Sequence, residues 1–141
     1  MLRILGIDHV VLRVADRERA LTFYCDVLGL SVERELPDLG LTQLRAGSSL
    51  IDLITADGVL GRRGSDAIAG VGANVDHIAL EVAPLDEAAL QAHLTRHGVE
   101  VVESGLRYGA RGEGRSHYVR DPDGNKIELK GPPATADTGP A

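Results

Sequence analysis

Two Asp-His pairs are the residues in this chain whose types and spacing could do chemistry. Asp8-His9-Val10-Val11-Leu12-Arg13-Val14 returns as Asp76-His77-Ile78-Ala79-Leu80-Glu81-Val82, 68 residues farther on. A carboxylate accompanies each copy. Asp52 in Leu50-Ile51-Asp52-Leu53 and Glu128 in Lys126-Ile127-Glu128-Leu129 both lie between apolar neighbours in strand-like runs. Side chains alternate between faces along a strand, so each carboxylate points away from those neighbours. Each half thus offers one imidazole and one carboxylate on its non-helix face, and a duplicated half-barrel would bring the two faces together. Carboxylates gathered without a counter-charge cost on the order of several kcal/mol in desolvation and repulsion. A divalent cation removes that cost. Two imidazoles and two carboxylates suit a first-row metal with water completing its shell, whereas closed structural zinc sites favour thiolates. The candidate ligands are His9, Asp52, His77 and Glu128. Arg13 shares the His9 face, about 13 Å along at strand rise. It is placed either to clamp the remote end of an elongated substrate or to pair with Glu81, its counterpart in the repeat.

These residues need elements to hold them. A strand is predicted over residues 7–14, with Val10, Leu12 and Val14 toward a helix and His9, Val11 and Arg13 on the other face. Asp16 caps a helix over 17–28 whose apolar stripe includes Ala20, Leu21, Tyr24 and Val27, and Gly29 ends it. Strands follow at 30–36, 41–46 and 49–55. The second half repeats the order: a strand at 78–82, a helix at 87–97 capped by Asp86 and ended by Gly98, and strands at 99–103, 115–120 and 125–130. Asp121-Pro122-Asp123-Gly124 reads as a hairpin turn. The fold class is α+β, two tandem strand-helix-strand-strand-strand modules in one domain over 5–130. Module one spans 5–55, a Gly-rich connector 56–74 and module two 75–130, and the tail 131–141 is expected to be disordered. The Gly-rich stretch 105–114 reads as extra residues of the second copy, with Tyr108 and Arg111 in a loop suited to a lid.

Composition narrows the partners. The chain carries a net charge of −6, no Trp and four large aromatics (Phe23, Tyr24, Tyr108, Tyr118). No basic stripe tracks phosphates, which argues against nucleic acid and anionic membranes. No apolar run is long enough to cross a bilayer and no signal-peptide core precedes Asp8. Cys25, the single cysteine, makes no intrachain disulfide and reads as a packing residue, so a cytoplasmic setting is expected. His93 and His97, four apart with no third ligand beside them, read as solvated or packing residues. Of His117 and Tyr118, one is expected to face the cavity.

The paired modules, the two Asp-His starts and Asp121-Pro122-Asp123-Gly124-Asn125-Lys126-Ile127-Glu128-Leu129 resemble the vicinal oxygen chelate superfamily. That superfamily includes glyoxalase I, extradiol dioxygenases, fosfomycin-resistance enzymes, methylmalonyl-CoA epimerase and bleomycin-binding proteins. The resemblance implies half-barrel cups around one divalent metal ion (Ni, Zn, Co, Mn or Fe), with His9, Asp52, His77 and Glu128 as ligands. It implies a lyase or isomerase of glyoxalase I type, in which Glu128 moves a proton next to a carbonyl and the metal holds the enediolate. It also implies a small-molecule substrate, with Arg13 meeting its far end, glutathione or another thiol as a candidate cofactor, and a homodimer. Two residues depart from glyoxalase I: Asp52 is one methylene shorter than the Glu there, and Ala56 replaces a polar glutathione contact. An iron(II) extradiol-type dioxygenase using His9, His77 and Glu128, and a non-catalytic drug-binding protein, are the alternatives.

Overall fold

The computed structural model describes residues 1–63 and 75–133, and it forms two compact units, Met1–Gly72 and Ala73–Ala141. The expected connector residues 64–74 and tail residues 134–141 lie outside the described residues. Each unit repeats the same element order. Unit one contains β1 (His9–Val14), α1 (Arg17–Leu21, continuing as a π-helical segment Thr22–Val27), β2 (Ser31–Leu36), β3 (Leu41–Ala46) and β4 (Ser49–Thr55). Unit two contains β5 (His77–Glu81), α2 (Glu87–Arg96), β6 (Glu103–Gly109), β7 (Gly112–Arg120) and β8 (Lys126–Pro133). The sheets are ordered β1-β4-β3-β2 and β5-β8-β7-β6. In both, the first strand runs parallel to the fourth and the other pairings are antiparallel.

Local chemistry starts and stops the helices as the sequence implies. Asp16 and Asp86 accept the backbone N–H of Arg19 and Ala89, each at 3.0 Å. Gly29 (φ 83°) and Gly98 (φ 69°) take the left-handed conformation that ends each helix. In unit one the helix buries Ala20, Phe23, Tyr24 and Val27, and Arg17 Nε reaching Thr42 Oγ1 at 3.2 Å seats it on the sheet. That sheet face carries Val14, Leu44, Ile51 and Leu53, all buried. In unit two the corresponding face buries Val119, Ile127 and Leu129, and Leu94 of α2 is fully buried. The helix covers one face of each sheet, which leaves the other face for the polar residues.

The main departure from expectation lies in the Gly-rich stretch. Residues 103–109 and 112–120 are the two strands of a hairpin, with register pairs from Glu103↔Tyr118 to Gly109↔Gly112. Residues 99–102 are not strand. The glycines mark close crossings of side chains rather than a loop. A Cβ on Gly105 would collide with the Arg107 guanidinium, and one on Gly109 would meet Lys130 Cε at 2.6 Å. The end of β8 differs as well. It runs through Gly131, Pro132 and Pro133 and pairs Pro133 with Gly114, so the strand outlasts the expected boundary at 130. Its parallel neighbour β5 stops pairing at Glu81↔Lys130, so the proline nitrogens face no ladder partner on that side. The Leu53 and Leu94 side chains are each buried in a core, and truncation of either to Ala is expected to lower unfolding free energy by about 2–5 kcal/mol. Urea denaturation of the two variants checks this.

Candidate functional site

The uncovered face of each sheet gathers the same constellation. In unit two, β5 supplies His77, Ala79 and Glu81, and the register sets them beside Lys126, Glu128 and Lys130 of β8. On the far side Tyr118 faces Glu128 and Ser116 faces Lys130. In unit one, β1 supplies His9, Val11 and Arg13 beside Leu50, Asp52 and Ile54 of β4, and Gln43 faces Asp52. The carboxylate therefore occupies the same node in both sheets, opposite the residue two beyond the His.

Each His is oriented by the Asp before it, a role that the sequence reading left unassigned. His9 Nδ1 lies 2.7 Å from Asp8 Oδ1, and His77 Nδ1 lies 2.7 Å from Asp76 Oδ2. A carboxylate at Nδ1 holds a proton there and turns Nε2 outward as the atom that would ligate a metal, the arrangement of metal-bound histidines; without a metal, the contact of His77 Nε2 with Glu128 Oε1 calls for a proton on Nε2 as well. The signal was present in the sequence, because the Asp recurs with the His. The hydrogen bond to Asp8, and then the charge of Asp52, hold His9 above its ordinary pKa. His77 and Lys126 hold Asp76 below its own.

Glu128 is 5% exposed and firmly held. Ser116 donates to Oε2 at 2.6 Å, Tyr118 donates to Oε1 at 2.9 Å, and His77 Nε2 lies 3.0 Å from Oε1. Burial alone would raise its pKa. The Ser116 and Tyr118 hydrogen bonds and the neighbouring His77 outweigh it, so the carboxyl sits below its usual range. Burial and the bond to Glu128 push Tyr118 up, which keeps it a donor. The Tyr118 ring also lies under two cations, Arg107 at 5.5 Å and Lys126 at 5.6 Å from its centroid. Tyr118 is thus the residue of its pair that faces the site. His117 turns to the helix side, between Ser104 Oγ and Glu87 Oε1, each at 2.8 Å.

Asp52 is equally buried, at 4% exposed, but less well satisfied. Gln43 donates to Oδ2 at 3.0 Å and itself accepts from Arg34 at 2.9 Å. Asp52 Oδ1 is buried without a hydrogen-bond partner. A buried, unpartnered carboxylate oxygen is costly and is relieved by a cation. Arg13 donates to the Gly61 carbonyl at 3.3 Å, while Glu81 pairs with Arg111 at 3.0 Å. Two Asp-oriented imidazoles and two carboxylates fit a divalent ion chemically. Among the described residues, no group of three or more His, Cys, Asp or Glu is gathered to hold a metal ion. Each unit presents two of the four expected ligands.

A cavity of about 260 Å³ opens on the polar face of unit two, lined in part by His77, Glu81, Tyr108, Arg111, Glu128 and Lys130. Cys25 has its thiol pushed up, first by burial and then by Asp26, which suppresses the thiolate. No helix among the described residues is long and apolar enough to cross a membrane.

Comparison with known proteins accords with this architecture. The family model described as Glyoxalase/Bleomycin resistance protein/Dioxygenase superfamily matches residues 6–129. Virulence protein STM3117 of Salmonella typhimurium is 32% identical over 124 residues, which cover 87% of this chain and 81% of that protein. Its crystal structure matches with a TM-score of 0.72 at 27% identity, over 92% of this chain and 98% of that one. Glyoxalase domain-containing protein RDO1 of Mycosarcoma maydis is 33% identical over 135 residues, 91% of this chain and 69% of that protein. A lactoylglutathione lyase from Agrobacterium tumefaciens shares the fold, with a TM-score of 0.64 at 23% identity over 91% of this chain and 94% of that one.

The hydrogen bonds at Glu128 make a pH-dependent prediction. Ser116→Ala removes a donor to a buried carboxylate and is expected to cost about 1.5–3 kcal/mol of stability at neutral pH. Because the folded pKa of Glu128 is depressed, the stabilisation is complete above the unfolded value and fades as pH falls through the folded one. The deficit of the variant should shrink on acidification. Denaturation curves across pH check this, and a deficit constant with pH would contradict it.

Proposed function

The chain belongs to the Glyoxalase/Bleomycin resistance protein/Dioxygenase superfamily, and we propose that it is a divalent-metal-dependent lyase or isomerase of glyoxalase I type. In this reading His9, Asp52, His77 and Glu128 hold one metal ion, and Glu128 shuttles a proton between adjacent carbons of a small carbonyl substrate. The observation that carries the proposal is the buried Asp52 Oδ1 without a partner. A three-ligand iron(II) dioxygenase would leave that oxygen unexplained. A cup that only binds drugs would have no use for two Asp-oriented imidazoles.

The bound ion would supply Lewis-acid polarisation of a substrate oxygen. The rest falls to the chain's own residues. Glu128 stays ionised at neutral pH, so it is ready to accept a proton. Its Oε1 already receives Tyr118 and faces His77, whereas Oε2 receives Ser116 alone. A carboxylate oxygen has two lone pairs, so Oε2 is the atom with room for the substrate proton. Its depressed pKa makes Glu128 a weaker base than a free carboxylate, and loss of the Ser116 bond during turnover would strengthen it. Arg13, beyond His9 on the same strand, would meet the far end of the substrate. A cytoplasmic homodimer, with glutathione or another thiol as co-substrate, completes the proposal.

Metal analysis of the purified protein and turnover of a methylglyoxal–thiol adduct test it together. Glu128→Ala is expected to lose metal affinity and to lower turnover by about a hundredfold or more. A variant that keeps both metal and turnover would overturn the assignment.

A further inference from the structure

The two modules can be superposed by register, and Lys130 is one of the polar-face positions at which they differ. Lys130 lies two residues past Glu128 on the polar face, beside Glu81 of β5 and opposite Ser116 of β7. Its counterpart in unit one is Ile54, two past Asp52, beside Arg13 and opposite Leu41. Ile54 is 7% exposed. The module therefore accepts a buried isoleucine at this node, and nothing in the fold calls for a cation there.

The ammonium is nevertheless carefully housed. A Cβ on Gly109 would come within 2.6 Å of Lys130 Cε, and one on Gly114 within 2.9 Å of Nζ. Two strand glycines thus leave the slot in which the lysine stem lies. Nζ donates to the Arg107 carbonyl at 2.9 Å. Lys130 and Arg111 both line the cavity that holds His77 and Glu128. Arg111 is neutralised by Glu81 at 3.0 Å. Among the described residues no carboxylate lies within ion-pair distance of Lys130, although Glu81 is its cross-strand neighbour. The cavity thus holds one ammonium that is in no ion pair among the described residues, about 7 Å along the strand from Glu128.

We propose that the unit-two cavity takes a small carboxylate-bearing molecule, whose anionic group is held by Lys130 while its other end reaches His77 and Glu128. This rests on the reading of His77 and Glu128 as the reacting end. The cavity of about 260 Å³ falls below the roughly 300–1,000 Å³ of drug-sized sites, a size that suits a short acid or the acidic end of a longer molecule. An ammonium recognises a carboxylate as a point charge with freely turning donors, so it tolerates variation in the rest of the acid.

Binding rather than turnover tests this. Glycolate, lactate and pyruvate are titrated against their neutral methyl esters by amide-resolved NMR, on the full chain before and after metal removal. Wild type is expected to bind the acids about tenfold more tightly than the esters or better, with shifts at Gly109 and Gly131. Lys130→Met, which keeps the stem, and Lys130→Ile, which copies unit one, should bring the acids down to the esters. Lys130→Arg should retain the preference. Gly109→Ala, which keeps the charge but displaces it, should weaken the acids alone. Equal affinity for acid and ester in wild type, no acid binding, or a preference that survives Lys130→Met and Lys130→Ile would each overturn the inference. The metal-free arm separates the two readings. Acid preference there stands even if the metal and turnover tests fail. Turnover with a preference indifferent to Lys130 would leave the lyase reading in place without this subsite.

Discussion

A carboxylate in the middle of a sheet must be given donors or a cation, and both sheets of this protein are arranged around that constraint. Breaking up the partners of a buried charge costs on the order of 3–5 kcal/mol, so the surrounding side chains are not free to vary independently. Glu128 meets the constraint with Ser116, Tyr118 and His77. Asp52 meets it by half, with Gln43 on one oxygen and nothing on the other. Two solutions to one problem, at the same node of two copies of one fold, make the polar faces of the two sheets chemically unlike. One carboxylate is nearly satisfied without a ligand and the other is short of a partner.

The scaffold explains why the node stays in place. The parallel pairing of the first and fourth strands fixes His and carboxylate in register, Val11↔Asp52 in one unit and Ala79↔Glu128 in the other. The helix covers the opposite face, so the apolar alternation that buries Ile51, Leu53, Ile127 and Leu129 also aims the carboxylates away from the core. The Asp before each His then sets which ring nitrogen is presented. Packing, register and tautomer are three consequences of one short repeated pattern.

That pattern is why so much was legible in the sequence. Period two in Ile51-Asp52-Leu53 and Ile127-Glu128-Leu129, and caps at Asp16, Gly29, Asp86 and Gly98, place both helices and every strand but the one expected at 99–103, which lies instead at Glu103–Gly109. What escaped depended on contacts between distant residues. The glycines of 105–114 resemble a loop locally, yet they are strand positions where Arg107 and Lys130 cross closely. The facing of Tyr118 rather than His117 follows from the β7–β8 register, which no local pattern sets. Gln43 and Ser116 were missed as carboxylate partners because a lone Gln or Ser in a strand carries no signal until its cross-strand neighbour is known.

The proposed metal role of His9, Asp52, His77 and Glu128 stands or falls on imidazole ligation. X-ray absorption spectroscopy at the edge of the bound metal measures this directly. The expected spectrum shows two imidazole ligands, with oxygen filling the remaining shell and no sulfur, and the imidazole contribution falls when His9 or His77 is replaced by Ala. A spectrum with no imidazole, or one unchanged by both substitutions, would contradict it.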